Sequence, residues 1–174
     1  MPYTIWYRGE LVGETDFEGE RDEIPRESKQ IDREVPPGRH LAGVFRPTSY
    51  GRQLLPRLCG IMTAAADLKE EVMRRGLDPD DIPPNQMRRL FEGTAAGLHI
   101  LDIGRVLSEV ELRNPTGLTV VVASMGFMDM GELASLTRRI GGSPPSVDFE
   151  HLPPEAPEFV VSVTIRELTD TGLC

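Results

Sequence analysis

Apolar residues recur at three- and four-residue steps between Leu54 and Ile103, whereas on both sides of that block they tend to alternate. A chain patterned this way is confined to a helical unit set between strands. Leu54, Leu58, Ile61, Ala65, Leu68 and Val72 draw one stripe that runs to the stop signal Arg74-Arg75-Gly76, with Thr48 or Ser49 as its cap. Pro56 lies inside the stripe and removes a backbone donor, which predicts a kink or a fresh start there. After the turn-rich 78–84, where Asp78, Asp80 and Asp81 are placed to cap, a second helix runs from Pro84 through Phe91, is interrupted at Gly93, and continues to Gly104.

The flanks read as strands. Tyr3–Tyr7 and Glu10–Thr15 enclose Arg8-Gly9, a hairpin turn pair. A short strand is expected over Leu41–Phe45. Val106, Ser108, Val110 and Leu112 alternate with Leu107, Glu109, Glu111 and Arg113, predicting a strand with one wet face. Asn114-Pro115-Thr116-Gly117 then makes a type I turn into the run Leu118–Ser124, a second hairpin. Asp129 and Glu132 form a variant capping box that opens a short helix ending at Gly141, and Phe159–Ile165 is a last strand. Strict βαβ alternation is missing. The expected fold is therefore α+β: a mostly antiparallel sheet built from two hairpins plus single strands, with a helical block packed on one face.

A length of 174 residues suits a single domain, 1–174. Within it, residues 16–40 read as an acidic, mobile loop, because the stretch 14–34 holds nine acidic residues against four basic ones and is closed by Pro36-Pro37-Gly38. The net charge of −9 opposes binding to phosphate backbones and anionic membranes, so neither nucleic acid nor membrane is an expected partner. Only Cys59 and Cys174 are cysteines, in no paired spacing, and the opening residues lack the apolar core of a signal peptide. The expected setting is cytoplasmic.

Reactive constellations are sparse. His99 and Asp102 stand three apart on a presumed helix, the spacing at which a carboxylate orients an imidazole as general base; a surface hydrogen bond uses the same two residues. Asp148, Glu150 and His151 combine hard oxygens with one nitrogen and, with His99 or His40 nearby, would suit Mn²⁺, Fe²⁺ or Zn²⁺. Their spacing matches no metal signature, and prolines bracket them as they would an exposed loop. Cys59 falls mid-helix, and Ser124 before Met125-Gly126 is only a faint echo of a nucleophile elbow.

Met125, Phe127, Met128 and Met130 crowd one junction between strand and helix, a composition suited to an adaptable contact surface as well as to packing. Trp6 and Tyr7 on the first hairpin add aromatic area, whose other use is packing of an edge hairpin. The leading expectation is a small cytoplasmic protein-protein interaction module without catalytic activity or cofactor. It would be an adaptor, inhibitor-like partner or assembly subunit, binding a protein, plausibly a basic one, and free to self-associate. The alternative is a small hydrolase using His99, Asp102 and His151, with Asp148, Glu150 and His151 around a divalent metal.

Overall fold

The structure is a computed structural model and describes residues 1–17, 39–140 and 157–165. Strands β1 (Tyr3–Tyr7), β2 (Glu10–Asp16) and β3 (Arg39–Pro47) precede helix α1 (Ser49–Leu54), a 3₁₀ turn (Leu55–Arg57), and helices α2 (Ile61–Arg74), α3 (Pro84–Gly93) and α4 (Ala95–Ser108). Strands β4 (Val110–Arg113), β5 (Thr119–Val120) and β6 (Val122–Asp129), helix α5 (Met130–Ile140) and strand β7 (Phe159–Ile165) complete it. The fold is α+β with an antiparallel sheet, as the pattern predicts.

The sheet order is β5-β4-β1-β2-β3-β7-β6, with every neighbouring pair antiparallel. That order makes β5 and β6, separated only by Val121, run the same way at opposite ends of the sheet. Two residues span at most about 7 Å, far too little for a crossover between parallel neighbours, so β5 and β6 follow one another end to end and draw the two edges of the sheet together. Residues 119–129 thus act as one interrupted strand that pairs first with β4 and then with β7, and the sheet curls into a barrel.

The first hairpin closes through Arg8 (φ 51°) and Gly9 (φ 84°), the two-residue left-handed turn that suits strand twist. A bulge shifts the register between Ile5 and Trp6. Contrary to the edge position expected for this hairpin, β1 lies inside the sheet between β4 and β2. In the second hairpin the Asn114 carbonyl accepts from Gly117 N at 2.8 Å, and Asn114 Oδ1 collects Thr116 N and Leu118 N.

Alternation sends Ile5, Tyr7, Val12, Leu41, Phe45, Leu112, Phe127, Phe159, Val161 and Val163 into one core, to which Leu54, Leu58, Cys59 and Val106 are added from the helical side. A smaller cluster, Leu68, Val72 and Leu90, joins α2, α3 and α4.

Four expectations are corrected. The strand expected from Val106 starts at Val110, because Ile103 and Val106 are buried at helical spacing and carry α4 through Gly104 to Ser108. The stripe 54–73 is broken: Thr48 caps α1 by accepting from Gly51 N, Pro56 sits in the 3₁₀ turn, and α2 starts afresh after Gly60. Asp78 turns back on Asp80 N at 2.9 Å, so the aspartates build their own turn, and α3 begins behind Pro83 without a side-chain cap. The expected loop 16–40 is trimmed at both ends, since β2 includes Asp16 and β3 includes Arg39; residues 18–38 lie outside the described residues. Among the described residues no helix is long and apolar enough to cross a membrane.

Candidate functional site

His99 and Asp102 both lie on α4, but each is engaged with the segment 56–57 instead of with the other. Asp102 receives the Arg57 guanidinium on both oxygens, at 2.8 and 2.9 Å, and Arg105 Nη2 at 3.2 Å. The Arg57 hydrogen bonds hold its carboxyl below the usual carboxylate range. The His99 Nε2–H donates to the Pro56 carbonyl at 3.1 Å. Asp148, Glu150 and His151 lie outside the described residues, as does the side chain of His40. Among the described residues, no group of three or more His, Cys, Asp and Glu side chains is arranged to hold a metal ion.

Cys59 falls between the 3₁₀ turn and α2, not within a helix, and is buried. Burial, with smaller contributions from Asp129 and Glu132, pushes its thiol up to about 12. At pH 8 only about one molecule in ten thousand would carry the thiolate, which is the nucleophilic form. In a Cys174→Ser variant, an aromatic disulfide reagent is expected to label Cys59 only after denaturant is added; labelling within seconds in native buffer would show the site to be open. Because the folded value is the raised one, this thiol's contribution to stability is complete below about pH 9 and fades as pH climbs toward about 12.

The six residues expected to form a contact surface divide. Tyr7 and Phe127 are 3% and 1% exposed and belong to the barrel core, out of a partner's reach. Trp6 faces outward but is covered by the Arg113 guanidinium, 4.3 Å from the ring centroid. Met125 packs against the barrel interior. Met128 has the opposite parity on β6 and points to the outer face, while Met130 is the first residue of α5.

Met128 stands beside a feature that sequence reasoning does not single out, the groove between α2 and α5. Thr63, Asp67 and Glu70 follow one another at i, i+4 and i+7 on α2; Glu132, Ser135, Leu136 and Arg139 do so on α5. Arg139 bridges the two helices, reaching Asp67 at 2.7 Å and Glu70 at 2.7 Å. Near the other end, Gly60 (φ 91°) lies between His99 and Glu132, so that a Cβ placed on it would come within 3.6 Å of Glu132 Oε1. The helices therefore run in the same direction. They enclose about 230 Å³ lined by Thr63, Glu132, Ser135, Leu136 and Arg139.

Adjoining it, with Glu132 and Leu136 common to both, Met62, Met128 and Leu133 surround a void of about 10 Å³, room for no more than one water, so the packing next to the groove is apolar and nearly close-packed. The Asp129 carboxylate, at the rim, accepts from Gly131 N at 2.8 Å and Glu132 N at 3.2 Å and caps α5. Glu132 has no ion pair among the described residues, whereas Arg139 has two. A face with i, i+3, i+4, i+7 spacing on residues 132–139 was the available signal for this site, masked in the sequence by the capping role of Asp129 and Glu132. No protein-family model matches the chain, and neither do any curated proteins or solved structures.

Proposed function

We propose that the chain is a small cytoplasmic protein-protein interaction module that receives a side chain of its partner in the α2–α5 groove. The observation that carries this reading is the groove itself: an open depression with Leu136 as the apolar residue of its lining, next to the small void at Met62, Met128 and Leu133, between two helices tied together at one end by Arg139. Its volume of about 230 Å³ lies below the roughly 300–1,000 Å³ typical of small-molecule sites and fits one or two inserted side chains. Met62 and Met128, which line the adjoining void, can repack around an incoming group. Two reactive candidates outside the groove are already engaged, the Cys59 thiol being held protonated by burial and the Asp102 carboxylate being bound by Arg57, which favours recognition over chemistry. The two cysteines without paired spacing agree with a reducing compartment.

Filling the groove tests the proposal. Ser135→Trp and Thr63→Arg add bulk at exposed and half-buried positions and are expected to leave the melting temperature within about 2 °C. Proteins that co-purify reproducibly with the wild-type chain are expected to be lost from both variants. Retention of every such protein by both variants would remove the groove from consideration.

A further inference from the structure

The groove is acidic where it opens, and its only cation is already used. Glu132 lines it and Asp129 lines the adjoining void, while Arg139, the one basic residue in its lining, is committed to Asp67 and Glu70 at its far end. Asp129 keeps its charge while capping α5. Glu132 is half-buried, sits on the groove face beside the adjoining apolar void, and carries no ion pair among the described residues. A half-buried carboxylate gains more from a cation than a fully solvated one, because part of its water shell is already gone.

We infer that the groove's ligand is a protein segment presenting a lysine or arginine within one helical turn of a large apolar residue, the apolar side chain resting on Leu136 and the cation meeting Glu132. This rests on the reading of the groove as a protein-docking site and specifies the chemistry of its partner. The eight helical residues from Glu132 to Arg139 span about 10 Å between the first and last, enough for two successive turns of such a segment. An acidic segment would set like charges against Glu132 and Asp129, and the same repulsion acts on any phosphate-bearing ligand.

Selection from a random 16-residue peptide library displayed on phage, against the full chain, tests this. Enriched peptides are expected to pair Lys or Arg with Leu, Met or Phe at one to four residues' separation. Fluorescence anisotropy of the best synthetic peptide is expected to show about fivefold weaker binding to Glu132→Gln, at least tenfold weaker binding to Glu132→Lys, and loss of affinity as salt rises. Both variants alter a carboxylate that makes no hydrogen bond or ion pair among the described residues and leave the Glu132 N–H to its bond with Asp129, and the isosteric glutamine keeps the packing. Peptides that are excluded by Ser135→Trp yet show no basic preference, or that bind Glu132→Lys as tightly as the wild type, would overturn the charge inference and leave the docking site standing. Peptides whose affinity is untouched by Ser135→Trp and Thr63→Arg alike would overturn the docking site as well.

Discussion

Replacing Phe127 by alanine is expected to lower the unfolding free energy by about 4 kcal/mol, the larger of the two strongest effects anticipated for this fold. Phe127 is 1% exposed, and its ring meets that of Phe45 edge to face, with centroids 4.9 Å apart and planes at 71°. Removing it forfeits the transfer energy of a whole ring, opens a cavity in the barrel, and abolishes an aromatic pair worth about 0.5–1.5 kcal/mol beyond its area. β6 is tied to β7 along seven register pairs, so the walls have little freedom to collapse inward. For a chain of this length the melting temperature should fall by roughly 8–16 °C. Urea unfolding monitored by circular dichroism checks it, and Phe127→Leu, which keeps most of the volume, is expected to cost under about 2 kcal/mol. A loss below about 1.5 kcal/mol for the alanine variant would mean that Phe127 is not packed as described.

Gly51→Ala is the second, and here the sign is informative. In an isolated helix this change stabilises by about 1 kcal/mol. On α1 the new methyl would instead run into the backbone of Val12, whose carbonyl already accepts from Thr48 N at 2.9 Å and Thr48 Oγ1 at 3.1 Å. Neither side yields readily, because Val12 is fully buried at the bulge of β2 and Thr48 fixes the helix start. Overpacking against backbone should cost about 3 kcal/mol and lower the melting temperature by roughly 6–12 °C. An unchanged or higher melting temperature would show that α1 is free to slide over β2.

Periodicity was most informative where a segment buries one side and is bounded by turn chemistry. The hairpin at Arg8-Gly9, the Asn114 turn, the Asp129 cap and the strand Phe159–Ile165 are all readable because their signals are local. The end of α4 was less legible, since Val106 and Val110 satisfy both a two-residue and a four-residue step, and only packing of Ile103 and Val106 decides between them. The sheet order was beyond reach. β5 joins β4 through a local turn, but placing β6 at the other end depends on its pairing with β7, from Asp129 with Phe159 to Val122 with Ile165.

The groove was hidden for a related reason. Its two faces come from helices separated by more than fifty residues, each side ordinary by itself, and the Arg139 clasp is a contact between 139 and 67. Met128 was singled out by composition, but its neighbours Phe127 and Met125 point the other way, and strand parity becomes usable only once the position of β6 is known.

The strand that runs from Thr119 to Asp129 has a consequence for association. It pairs with β4 only at Thr119 and Val120 and with β7 from Val122 onward, so along Val122–Asp129 the edge turned away from β7 has no strand partner among the described residues. Strand addition from another chain, the usual route to domain exchange and fibrils in sheet proteins, would have to begin on that edge of β6.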